Sequence, residues 1–290
     1  MTSPRKMSIK HHLDALKRRF ERNERILDPV FRVHEFSDPA DQEIVGFFSA
    51  ALAYGRVASF LRTIDSLLVM MGPSPAAFVR RFDPARDAFG IVTLKHRWTR
   101  GIDLVALMWI LRRMIEKSGS LEEFFLEAYR SEAKDVTSAL ESFSLRALSL
   151  DHDFVYGSEK RTGVLYFFPR PSKGSGCKRL NLFLRWMVRQ DGIDLGIWRR
   201  VDAAKLIVPL DTHVARVSQC LRLTKYKSPG WAMALDITNS LRKLDPSDPV
   251  KYDFTLCHLG MMEKCGFERP HRDTRCPLRG LCQPRFRRRR

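Results

Sequence analysis

Acidic residues are scarce in this chain. Against 51 Lys and Arg stand 33 Asp and Glu, which leaves a net charge of +18. The pI is ≈ 10.0. Such an imbalance disfavours a cationic partner and points to a polyanion, nucleic acid before an acidic membrane. Long apolar runs are also lacking. The longest, Leu104–Leu111, has eight residues, well short of the roughly 20 a membrane span needs, so no membrane partner is expected. The basic opening MTSPRKMSIKHH has no apolar core behind it. No signal peptide is therefore read, and a cytoplasmic, nucleoid-associated location is expected. Cysteine is sparse, at 177, 220, 257, 265, 276 and 282. Repeats, long linkers and βαβ alternation are absent, which leaves an all-α protein. At 290 residues and 44% apolar content the chain is long enough for a substantial core, and a monomer is expected.

What is present is mostly helical punctuation. Ile9 to Leu27 alternates apolar and basic residues at helical spacing. Asp38-Pro39 is a strong helix start, with Asp41 and Glu43 in the first turn and Ile44, Phe47, Phe48, Ala51 and Leu52 on one face. Phe60 to Met71 repeats the rhythm and stops at Gly72-Pro73. Further helices are predicted over 103–115, from the capping box at Ser120 to Glu123, and over 136–148. Ser228-Pro229 and Asp248-Pro249 look like two more capped starts. Val164 to Phe168 reads as the only strand-like piece. About ten helices are expected, with loops at 157–176 and over the last ~25 residues, where function tends to concentrate.

Two element ends stand out. Gly174-Ser175-Gly176-Cys177 is a small, flexible loop before Lys178, which opens the apolar helix RLNLFLRWMV. Asp211 opens another helix 33 residues later, in Pro209-Leu210-Asp211-Thr212-His213-Val214-Ala215-Arg216. An amine and a carboxylate at two helix starts suit a nucleophile with an acid partner. The segment 209–217 resembles the V-D-T-H-x-x-R-V segment of endonuclease III and related DNA glycosylases of the helix–hairpin–helix superfamily. The spacing back to Lys178 resembles that of the archaeal 8-oxoguanine glycosylases. AALAYGRV, MGPSP, CKRLNLFLRWMVR, DGIDLG, PLDTH and DPVKYDF resemble a bacterial family within that superfamily, over nearly the whole chain.

The resemblance implies a two-lobed all-α fold. One lobe would span about 38–189. The other would join about 8–30 to 190–285, including a cysteine loop at 257–282, with 286–290 a basic tail. It implies excision of a damaged or modified base from DNA, with strand nicking by an imine-forming Lys178 and charge stabilisation by Asp211. A non-catalytic DNA- or RNA-binding protein of the same fold is the alternative. An amine nucleophile must be neutral, which desolvation and neighbouring cations such as Lys173 and Arg179 would favour. Tyr54 is expected as a wedge at the flipped base, with Arg56 on the orphan base or a phosphate. His96, Arg97, Lys173, Arg179 and Arg216 are the remaining expected nucleic-acid contacts. The sequence departs from the superfamily where endonuclease III has its lysine-bearing glycine hairpin: Asp191-Gly192-Ile193-Asp194-Leu195-Gly196 stands there.

Endonuclease III binds a [4Fe–4S] cluster through C-x6-C-x2-C-x5-C. Here Cys265, Cys276 and Cys282 give C-x10-C-x5-C, one thiolate short. Cys257 or His271 would supply the fourth ligand, and a cluster, zinc or no metal all remain open.

Overall fold

The computed structural model describes residues 4–23, 28–158, 163–261 and 276–282. Thirteen α-helices and a single two-stranded hairpin stand among the described residues. The all-α expectation is met.

Helix α1 (Pro4–Asn23) buries Ile9, Leu13, Leu16 and Phe20, the 3–4 spacing of one helical face. It packs on α13 (Asp253–Met261). Short α2 (Val30–His34) lies on α3 (Pro39–Leu52). Asp38 caps α3 through the Ala40 N–H at 2.8 Å, as its sequence predicts. The two acids after it serve other helices. Asp41 accepts from the N–H of Ala76 at 2.7 Å, in α5 (Pro75–Arg81). Glu43 accepts from the N–H groups of Leu121 and Glu122 at 2.8 and 2.9 Å, at the start of α8 (Leu121–Leu126), and from the Trp198 indole at 2.8 Å. Thus α3 fixes the entry of two later helices.

Between α3 and α8 also run α4 (Val57–Met71), α6 (Pro84–Asp87), the hairpin β1 (Lys95–His96) and β2 (Thr99–Arg100), and α7 (Gly101–Ser118). Then come α9 (Thr137–Leu148), α10 (Lys178–Val188), α11 (Thr212–Cys220) and α12 (Trp231–Arg242). Helix α10 is the central rod, packed on α3 and nearly enclosed: every residue from Leu180 to Val188 is buried.

Three expectations fail locally. Val164 to Phe168 is no strand; Gly163–Phe167 forms a 3-10 turn. The Gly163 N–H donates to Asp103 at 3.1 Å and the Val164 N–H to the Tyr156 hydroxyl at 3.0 Å. Side chains therefore satisfy donors that a strand would need a partner for, and the three-residue spacing of buried Val164 and Phe167 suits the tighter helix. Helix α12 starts at Trp231 with Gly230 as its cap, not at Ser228-Pro229, because the Trp231 N–H is held by the Gly174 carbonyl at 3.1 Å. Helix α13 starts at Asp253 and not after Asp248-Pro249. Asp248 is drawn instead onto Arg189, 2.9 Å away.

Candidate active site

Lys178 is the first residue of α10, and the loop before it sets its direction. Gly174 and Cys177 both adopt left-handed backbone, at φ 75 and φ 45. For Cys177 this is an uncommon conformation that stores strain. The loop is held from both sides. The Gly174 carbonyl accepts from Trp231, and the buried Cys177 thiol donates to the Pro169 carbonyl at 3.4 Å. Burial pushes that thiol up to about 12, so it stays protonated and is no nucleophile. Lys178 projects from this loop, half-buried, and its Nζ donates to the Ala53 carbonyl at 3.0 Å. Ala53 directly follows α3, so the amine sits where that helix leaves carbonyls without helical partners.

Asp211 is the N-cap of α11. Its Oδ1 accepts from the N–H groups of His213 and Val214 at 2.9 and 2.7 Å, and its Oδ2 from the Cys257 thiol at 3.2 Å. Lys178 and Asp211 line one cavity of ≈ 390 Å³, within the usual size of ligand sites. Its walls come from the segment that follows α3 (Ala53, Tyr54, Gly55), from α4 (Val57, Phe60), from α10 (Lys178, Leu182, Arg185) and from the start of α11 (Asp211, Thr212, His213). Asp253, Phe254, Cys257, His258 and Met261 of α13 add a further wall, and Asp28, Pro29 and Pro209 complete it. Apolar side chains thus surround a small set of titratable groups. Burial, with Asp211 and Asp253 close by, raises the Cys257 thiol well above its ordinary value. It therefore acts as a hydrogen-bond donor to Asp211.

Beneath the cavity lies an ionic frame. Arg185, 2% exposed, donates through Nε to Asp194 at 3.1 Å and through Nη1 to Asp253 at 2.5 Å. Arg189 binds Asp194, Asp191 and Asp248. The two acids of the 191–196 segment therefore turn inward. They clamp a tight turn, bridged from Gln190 to Leu195, onto α10, and Asp191 also reaches Lys17 at 3.2 Å. This segment does not present a lysine to phosphate.

The expected nucleic-acid contacts divide. At the mouth, Tyr54 stacks on Trp98, ring centroids 4.5 Å apart at 21°, and its hydroxyl pairs with Thr99 at 2.6 Å and the His96 carbonyl at 2.9 Å. Trp98 is 46% exposed, and the Arg97 guanidinium lies 5.0 Å from its ring. Arg97 and Arg56 are both exposed. His96 is buried, its Nε2 against the Tyr54 carbonyl at 2.8 Å, and burial lowers its pKa. It supports the tyrosine and has no surface to offer a ligand. Arg179 is likewise half-buried, held by the Ala51 carbonyl at 3.3 Å and the Tyr166 carbonyl. Lys173 and Arg216 are exposed, and neither lines the cavity.

Of the proposed metal ligands, Cys265 and His271 lie outside the described residues. Cys257 belongs to the cavity through Asp211, while Cys276 is buried and Cys282 packs against the core. No group of three His, Cys, Asp or Glu suited to a metal occurs among the described residues.

Sequence reasoning did not find Asp253, nor the role of Cys257 beside Asp211. Only their i, i+4 spacing on one helix face hinted that they act together.

The model of the family described as "Protein of unknown function (DUF2400)" matches residues 28–262, most of the chain, and the chain belongs to that family. No curated protein and no solved structure gives a match.

Proposed function

We propose that this family member is a DNA base-excision glycosylase with lyase capability, acting on a damaged or modified base. One observation carries the reading: Lys178 and Asp211, on separate helices, line a single cavity of ≈ 390 Å³. Asp211 would stabilise the cation-like sugar left as the base departs. The Lys178 amine would attack the sugar carbon and form an imine, from which elimination nicks the strand. A target base must leave the stack to enter the cavity, and the exposed Trp98, stacked on Tyr54 beside Arg97, suits the vacated position. The net charge of +18 supports a nucleic-acid substrate, DNA in this reading and RNA as its variant.

The finer fold, a two-lobed helix–hairpin–helix arrangement, belongs to the same proposal. It draws support from a cavity lined by Ala53 and Lys178 of one expected lobe and by Asp211 and Asp253 of the other. A cytoplasmic, nucleoid-associated monomer fits this reading.

Borohydride trapping on duplexes with damaged bases or abasic sites tests it. Wild type should give a covalent adduct that Lys178→Gln abolishes and Asp211→Asn strongly reduces. An adduct that survives Lys178→Gln assigns the nucleophile elsewhere and ends the proposal. One observation favours a non-catalytic nucleic-acid-binding protein: the Lys178 amine already caps the Ala53 carbonyl. In that case no adduct forms, and Lys178→Arg leaves duplex affinity unchanged.

A further inference from the structure

Helix α13 brings a further carboxyl to the cavity, and the chemistry of Lys178 and Asp211 leaves it unused. Asp253 opens that helix, is 3% exposed, and lines the same cavity as both. Its Oδ2 accepts from Arg185 at 2.5 Å, whereas its Oδ1 is buried with no partner. A carboxylate oxygen buried without a donor is costly. A protonated Oδ1 removes that cost and becomes a donor awaiting an acceptor.

Burial favours the protonated form, and the surrounding charges are divided. From α10, Arg185 faces Asp253, but the same guanidinium also serves Asp194, and Arg185 is further coupled to Asp28. Lys178 attracts from the start of α10, and Asp211 repels from the start of α11. On α13 itself, Cys257 remains a thiol, and His258 stacks on Phe254 with its Nδ1 against the Phe254 carbonyl at 3.0 Å. Burial, reinforced by Asp211 and opposed by Arg185, raises the Asp253 carboxyl to about 7. Near neutral pH the group holds a proton it is able to release. Asp28 also lines the cavity, but Asp211 and Asp253 differ most in their surroundings, the usual arrangement for dividing acid and base roles.

We infer that Asp253 donates the Oδ1 proton to the departing base, a role separate from those of Lys178 and Asp211. The inference rests on the base-excision reading. In the step, the glycosidic C–N bond breaks and its electron pair goes to the base. The Asp253 proton moves to a nitrogen or oxygen of that base, which leaves neutral. Asp253 remains as a carboxylate paired with Arg185. The sugar carbon accepts the lone pair of the Lys178 amine, whose surplus proton passes to Asp211.

The test compares leaving groups in single-turnover excision. One duplex carries uracil or 8-oxoguanine, bases that leave as anions unless protonated. The other carries N7-methylguanine, a cationic base that leaves neutral without a proton. Asp253→Asn should lose about 100-fold on the first and stay within about threefold on the second, which also shows the variant to be folded. On the first duplex the wild-type rate should fall as pH rises through about 7, and the variant should lack that limb. Equal losses on both duplexes make Asp253 merely structural and overturn the inference while base excision stands. So does a wild type active on the cationic base alone. If wild type excises only the neutral base, a basic limb that persists in Asp253→Asn overturns it. A wild type that excises neither base sinks the base-excision reading and this inference together.

Discussion

At Asp211 three donors converge on two oxygens. The helix N–H groups of His213 and Val214 take Oδ1, and the Cys257 thiol takes Oδ2. The thiol is the only one of these that a point mutation removes without touching the backbone. Cys257→Ala should cost about 1 kcal/mol in thermal or urea unfolding, the usual effect of leaving a buried acceptor without its donor. Cys257→Ser, which keeps a hydroxyl donor, should lose less. Because its pKa is raised by burial and by neighbouring acids, the Cys257 thiolate is scarce at neutral pH. Native protein should therefore alkylate at Cys257 far more slowly than unfolded protein when followed by peptide mass spectrometry. Rapid native labelling would show the thiol to be outside the cavity. Lys178 and Asp211 are legible in the sequence because their neighbours carry a recognisable pattern. Asp253 is not, since its chemistry depends on Arg185, 68 residues away in the chain and packed against it only after folding.

Among elements, the crossing of α11 and α13 decides the cavity's geometry. Gly260 of α13 faces His213, and a Cβ at that position would stand 2.7 Å from the His213 Cβ and 3.1 Å from its Cα. Since backbone is involved, the helices must separate to admit a side chain. Gly260→Val should lower stability by about 2 kcal/mol and move Cys257 away from Asp211. Faster Cys257 alkylation in this variant is the readout. The ionic frame under α10 makes a second prediction. Arg185→Met leaves Asp253 buried without its cation, while Asp194 keeps Arg189, so the cost should be about 3 kcal/mol by urea unfolding. The middle of α1, at Asp14, is tied to the start of α13 through Lys10, Asp245, Lys251 and Tyr252. Against burial, Lys251 and Ser247 hold the Asp245 carboxyl down to about 2. A depressed carboxyl stabilises the fold above its unfolded pKa of about 4 and loses that contribution as pH falls toward 2. Asp245→Asn should then remove about 1 kcal/mol at pH 7, after allowance for solvent screening, and nothing near pH 2. Helix starts such as Asp38-Pro39 and Ser120 were readable because each cap is local. The starts at Trp231 and Asp253 were not, because a distant carbonyl and a distant arginine set them.

Over the whole molecule, the net charge of +18 understates the positive field at the surface. Asp41, Glu43, Asp103, Asp194 and Asp253 are buried, and several are spent on helix starts and on Arg185 and Arg189. Arg56, Arg97, Lys173 and Arg216, by contrast, are exposed. Affinity for an undamaged duplex should therefore depend steeply on salt. With about six phosphates neutralised, the plot of log K against log salt should slope near −5, a loss of about 10³-fold between roughly 50 and 200 mM. Replacing Arg56 and Arg97 together with serine should flatten that slope by about 2 if both reach phosphates at the cavity mouth. Trp98→Ala should weaken binding by about 1–3 kcal/mol without changing the slope, because stacking releases no counterions. A slope untouched by the double replacement would move the nucleic-acid face away from the Tyr54–Trp98 stack. The cavity holding Lys178 and Asp211 would then need another route for a base to enter.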